Sequence, residues 1–139
     1  MTSYLTLYER ALSKITDPTL AMLPEEDMEN MLHGWLISAI AKMRKCTNDL
    51  SNRDDSLKQF NVTLTDMEQE ILAILMTREW LAPQLHSVLL TSQVFSGKEE
   101  KYYSQSAHLA ELRALDEALK LEAQQLSRDF SYIDNEYFD

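Results

Sequence analysis

Few residues of this chain have the types and spacing that metal binding requires. The three histidines, His33, His86 and His108, are far apart, and none shares a helical turn with another. Metal-binding motifs place their ligands close together along one helix or loop. His108 and Glu111 share a helical face, but in the reverse order from a di-iron motif and only once, so we interpret them as a surface ion pair. The histidines therefore predict no metal site, and His33 is interpreted as a partly buried packing residue.

The other reactive residue types do not form a catalytic pattern. Cys46, the single cysteine, ends an apolar stripe without a base partner, and we interpret it as a packing residue. Gly34 and Gly97 are the two glycines, too few for a loop that cradles a phosphate. Two carboxylate pairs are interpreted as helix caps or solvated faces rather than as an acid and base: Glu68 with Glu70, and Asp54 with Asp55. We therefore predict that the protein is not an enzyme and has no cofactor or metal.

The C-terminal segment, residues 129–139, combines aromatic and acidic side chains. Acids are interleaved with five large apolar or aromatic residues, and no lysine or arginine follows Arg128: the five are Phe130, Tyr132, Ile133, Tyr137 and Phe138. Aromatic residues dominate the binding energy of protein interfaces, which favours anchors for a partner. The alternative is that the segment folds back and completes the core of its own domain.

Composition favours one helical domain. A chain of 139 residues is the size of a single domain, and its 2 glycines and 3 prolines leave little material for turns. The net charge of −10 excludes a protein that grips nucleic-acid phosphates, although DNA could slide past an acidic surface. The single cysteine, the lack of a signal pattern and the short apolar runs predict a protein without disulfides or membrane spans, made in a cytosol.

Apolar periodicity predicts the first three helices. A helix over Ser3–Ile15 would bury a stripe of Leu5, Tyr8, Leu12 and Ile15, and a second would open at Pro24 with acids in its first turn. Thr65 and Glu68 form a capping box that starts the third, and the apolar run after it predicts the buried central helix. Pro83 either ends this helix or kinks it.

The stretch Gln59–Leu64 alternates like a strand but has no obvious partner. We therefore interpret it as an extended linker, with pairing to a neighbouring subunit as the alternative.

The last helix follows Ser96. Its apolar seam is interrupted at Gln105, Asp116 and Ala123, which indicates a helix packed on its own domain along part of its length rather than a long coiled coil. The prediction is an all-α helical bundle over residues 1–128, with a long C-terminal helix and an extended docking tail over residues 129–139.

Three stretches of the chain together resemble a known family. They are Ile15–Met43, Phe60–Leu85, and the helix from Tyr102 to Leu115 with the aromatic tail after it. The pattern is similar to the small neck proteins of tailed bacteriophages of Gram-positive hosts, the head–tail connectors or adaptors. The last helix is longer than in the small-connector pattern.

The resemblance implies a mostly helical structural protein that forms a ring of twelve copies below the portal, in the neck of the virion. Portal and neighbouring neck or tail proteins would be its partners, and DNA would pass through an acidic channel without specific binding. Phe130, Tyr132, Ile133, Tyr137 and Phe138 would contact the portal. Acidity and size fit an alternative equally well, a small helical inhibitor or DNA mimic that binds a basic protein.

Overall fold

The protein is described from a computed structural model that covers residues 1–15, 17, 20–43, 48–94 and 99–136, without the side chains of 21, 88–94, 99–106 and 130–136. Over these residues the fold is mostly helical. Four α-helices are present, together with one 3₁₀ turn and three two-residue strands: α1 Tyr4–Leu12, the turn Leu20–Met22, α2 Glu25–Lys42, α3 Asp66–Val94, α4 Glu99–Glu136, β1 Thr2–Ser3, β2 Arg53–Asp54 and β3 Gln59–Phe60.

Helix α3 is the centre of the domain. The other three helices all pack against it, and its residues Ile71 to Thr77 are buried without interruption. A helix that is apolar around most of its circumference needs neighbours on every side, which explains why the run is surrounded. The prediction of a buried central helix is confirmed. The helix also continues through Pro83 to Val94 instead of ending there.

The predicted capping box is present at the start of α3. The backbone N–H of Thr65 donates to Glu68 Oε1 at 3.0 Å, and the backbone N–H of Glu68 donates to Thr65 Oγ1 at 3.2 Å. Glu68 is fully buried, and the same carboxylate accepts from Asn48, through its backbone N–H at 3.3 Å and its side-chain amide at 2.7 Å. One side chain therefore caps α3 and fixes the loop that precedes β2.

The interpretation of residues 59–64 as a linker is wrong at its first two positions. Gln59 and Phe60 form the middle strand of an antiparallel sheet in the order β1-β3-β2, with Phe60 opposite both Thr2 and Arg53. The partner strands have two residues each, too few to show the alternation that identifies a strand in sequence. The sheet pins the N-terminus of the chain to the core through Phe60, which is fully buried.

The predicted buried stripe of α1 is confirmed at Tyr8 and Ile15, Leu12 is half-buried, and the prediction is wrong at Leu5. Ser3 caps the helix as expected, since its hydroxyl accepts from the backbone N–H of Leu5 at 3.3 Å. Leu5 itself is 59% exposed, and the fully buried side chains of α1 include Tyr4 and Leu7. Tyr4 packs edge-on against Phe60, with ring centroids 5.1 Å apart. At the start of α1, Tyr4 rather than Leu5 is therefore the side chain that packs on the sheet.

Helix α4 runs antiparallel to α3 and packs on it through one seam. Between residues 107 and 129, the buried and half-buried side chains, apart from Ser127, follow steps of three and four: Leu109, Leu112, Asp116, Leu119, Ala123 and Leu126. Asp116 and Ala123, which were expected to interrupt the seam, therefore belong to it, and the side chain of Gln105 lies outside the described residues. Asp116 meets Arg78 of α3, with Nε–Oδ1 at 2.9 Å and Nη2–Oδ2 at 3.4 Å, and Ala123 is 6% exposed in the core.

Candidate partner-binding surfaces

Helix α4 leads directly into the C-terminal segment that the sequence singles out. It has 38 residues, so it is about 57 Å long, and it continues to Glu136. Phe130, Tyr132 and Ile133 therefore lie on the last turns of the helix, whereas an extended tail from 129 was expected. Their side chains, and residues Tyr137 and Phe138 as a whole, lie outside the described residues.

A groove opens where α2 ends beside α3 and α4. It has a volume of about 650 Å³ and an apolar floor of Met43, Ile71, Leu75 and Ala123. The small Ala123 lies in the α4 seam between Leu119 and Leu126, and a side chain of that size leaves the space that a third leucine would fill. We call this feature the basic groove.

The walls of the basic groove are cationic, although the chain as a whole is strongly acidic. Four of its lining residues carry positive charge, and none of the described lining residues is acidic: the four are Lys42, Arg78, Lys120 and Arg128. Lys42 pairs with Glu79, and Arg78 with Asp116. Among the described residues, Lys120 and Arg128 have no carboxylate at ion-pairing distance, and both are exposed. These two lie eight residues apart on one face of α4, about 12 Å along its axis.

Sequence reasoning missed the basic groove because its walls come from residues about eighty positions apart. Lys42 and Lys120 meet at one groove only because α2 and α4 both pack on α3. The available signal was Ala123, a small residue at a seam position, which was interpreted as a defect of the seam.

The polar cluster around His33 joins two tyrosines and an aspartate of different elements. The hydroxyl of Tyr8 lies 3.4 Å from His33 Nδ1, and the hydroxyl of Tyr4 donates to Asp55 Oδ1 at 2.6 Å. Burial raises the pKa of Tyr8 to about 12, helped by the charges of Glu29 and Asp55. Burial, with the hydrogen bond to Asp55, also raises the pKa of Tyr4. Both phenols therefore stay protonated at neutral pH. His33 is half-buried, as predicted.

The other carboxylates singled out in the sequence have structural partners. Asp54 accepts from the backbone N–H groups of Ser56 and Leu57 and closes the turn between β2 and β3. Glu70 accepts from Lys14 and from Arg10, the latter at 2.7 Å. Burial opposes the ionisation of Glu70, but these two cations outweigh it and lower its pKa. Glu70 therefore fastens α1 to α3.

His108 and Glu111 are both exposed on α4. Cys46 lies outside the described residues. In the described part of the chain, no group of three or more His, Cys, Asp or Glu side chains is arranged to hold a metal ion. Among the residues that the structure describes, every helix is too short or too polar to cross a membrane.

Comparisons of the chain with protein-family models, with curated proteins and with solved structures found no match.

Proposed function

We propose that this protein is a structural virion protein, a head–tail adaptor that forms a ring between portal and tail and leaves a channel for DNA. The observation that carries the proposal is the exposure of α4. Over residues 107–129 this helix buries one seam on its own domain and leaves the rest of its circumference in solvent. Leu115 and Leu121 lie on the open part of α4, 43% and 52% exposed, and offer apolar contacts to neighbouring subunits.

The charge of the chain supports a channel for DNA. The net charge is −10, and exposed acids are spread along α4: Glu111, Glu117, Glu122 and Asp129. An acidic wall repels the phosphate backbone, so DNA passes without being held. The ring of twelve copies and its place in the neck come from the resemblance to phage connectors.

In the assembled neck, the C-terminal segment is the contact with the portal. Its aromatic residues supply anchors, and identical segments around a ring act together, so that weak single contacts add up to firm attachment. Neighbouring neck or tail proteins would bind the opposite face of the ring. The protein would be made in the cytoplasm of the host bacterium.

Electron microscopy of the protein mixed with a portal protein encoded in the same genome tests the proposal. We expect a ring of additional density on the portal, and loss of that density when Phe130, Tyr132, Tyr137 and Phe138 are changed to serine. The matched control changes the exposed Met22 and Leu57 to serine, since neither lies on α4 or in the C-terminal segment. Circular dichroism establishes that each variant is folded.

Two results would overturn the proposal. One is a folded serine variant of the C-terminal segment that still decorates the portal, which would remove the segment from the contact. The other is wild-type protein that forms no ring on the portal but binds a basic protein as a single copy, which would favour the inhibitor.

A further inference from the structure

We propose that, before the protein meets a portal, the basic groove of one copy binds the C-terminal segment, residues 129–139, of a second copy. This goes beyond the adaptor role, because it assigns an occupant to a groove that the role does not use. The two bindings exclude each other, since a segment held in a groove is not free to contact a portal.

Charge complementarity identifies the occupant. Residues 129–139 contain four acidic residues and no basic residue, whereas the described walls of the groove contain four cations and no acid. Two of those cations, Lys120 and Arg128, lack a described carboxylate partner. Arg128 donates to Gln125 Oε1 at 2.9 Å, and its other guanidinium donors can bind a carboxylate from outside. Because the chain has a net charge of −10, most surfaces of two copies repel each other, whereas a cationic groove attracts an acidic segment of the other copy.

The apolar parts of groove and segment also correspond. Aromatic side chains can cover Ala41, Met43 and the aliphatic stems of the cationic residues, whereas Ile71, Leu75 and Ala123 are at most 7% exposed and form the base of the groove. A volume of about 650 Å³ has room for such side chains. Residues 129–139 offer aromatic residues at four positions and isoleucine at a fifth. Apolar anchors with a rim of ion pairs are the usual anatomy of a peptide-binding site.

The geometry of α4 excludes the segment of the same copy. Residues 120–128 line the groove, and the helix continues without a break to Glu136, about 12 Å beyond Arg128 along its axis. A segment that extends the wall past the end of the groove does not turn back onto its floor while it stays helical. The occupant is therefore supplied by another copy, and the contact is head-to-tail.

Fluorescence polarisation with a labelled synthetic peptide of residues 129–139 tests the inference on the full-length protein. We expect saturable binding that weakens as salt is added, because the rim pairs are exposed. The double change Lys120→Glu and Arg128→Glu should weaken binding about tenfold, through loss of two exposed ion pairs and gain of repulsion. A peptide with Asp134 and Glu136 changed to lysine should recover most of that loss on the double variant.

Arg113→Glu is the matched control. It makes the charge change of one of the two substitutions, so it is compared with Lys120→Glu alone. Arg113 is exposed on α4, seven residues before Lys120, but it lines a separate cleft. This variant should bind the peptide within about twofold of wild type. Sedimentation of the unlabelled proteins should show a concentration-dependent self-association that the double variant loses and the control keeps.

Absence of peptide binding at millimolar protein would overturn the inference. Equal losses for the double variant and the Arg113 control would also overturn it, because they would show general charge attraction rather than a site. Portal decoration is measured separately, so a protein that forms rings on the portal but does not bind the peptide refutes the groove contact alone. A protein that binds the peptide but forms no ring on the portal refutes the adaptor role alone.

Discussion

Removal of the Glu68 carboxylate should destabilise the protein more than any other single change to a polar side chain discussed above. Glu68 is fully buried and accepts from the backbone N–H of Thr65, the backbone N–H of Asn48 and the side-chain amide of Asn48. Glu68→Ala leaves these three donors without their acceptor. A hydrogen bond to a charged group contributes about 1.5–3 kcal/mol, and the donors are partly reachable by water, so we expect a loss of about 3–4 kcal/mol.

Urea unfolding followed by circular dichroism at 222 nm measures this loss. At a slope of about 2 kcal/mol per molar urea, the midpoint should fall by about 2 M. Glu68→Gln keeps the shape and one carbonyl oxygen but turns an NH₂ group toward the donors, so we expect about half the loss. Thr65→Ala removes the reciprocal half of the capping box and should cost about 1 kcal/mol.

Asp66→Ala is the control, because this carboxylate is near the start of the same helix but its side chain is 98% exposed. It should cost about 0.5 kcal/mol through the helix dipole. The order of the four variants is the test: Glu68→Ala, then Glu68→Gln, then Thr65→Ala, then Asp66→Ala. If Glu68→Ala proves no more harmful than Asp66→Ala, then the buried carboxylate does not hold the loop to α3, and the reasoning is refuted.

Two further changes test other contacts. The pKa values of Tyr4 and Tyr8 in the folded state exceed the ordinary value of 10.0. Above pH 10 the folded state therefore binds more protons than the unfolded state, so the free energy of unfolding should fall as pH rises from about 10 toward 12. Urea midpoints at pH 9, 10 and 11 should show this fall, and Tyr8→Phe should reduce it; an unchanged slope contradicts the burial of that phenol. Asp116→Ala should cost about 1–2 kcal/mol because it leaves Arg78 half-buried without its partner, whereas the pair of changes Arg78→Met and Asp116→Leu should be close to neutral. A double-mutant cycle in urea measures the coupling, and a coupling near zero would show that the pair does not join the two helices.

The sequence predicted those parts of the fold that depend on neighbouring residues. The capping box needs only Thr65 and Glu68, and the burial of α3 follows from its own apolar run. Both signals are local, so no knowledge of the rest of the chain is required. The position of the α4 seam was also visible in its spacing.

Features that depend on distant residues were not predictable in this way. Thr2 pairs with Phe60, but a strand of two residues is too short to show the alternation that predicts a strand. Beside that pairing, Tyr4 packs on Phe60 and Leu5 is exposed, and the apolar spacing of α1 alone did not show this. The basic groove was not predictable for the same reason, because its walls meet only after three helices have packed.

The central place of α3 has a consequence for the order of events during synthesis. The helices α1 and α2 precede it in the chain, yet both bury their apolar faces on it. At about 5–20 residues per second, roughly 2–9 s pass between the addition of Leu32 and the addition of Thr77. During that interval Leu32 and Leu36 have no α3 to pack against, so the first half of the nascent chain depends on the second for its burial. The ribosome therefore makes the peripheral helices α1 and α2 before it makes the central helix on which they pack.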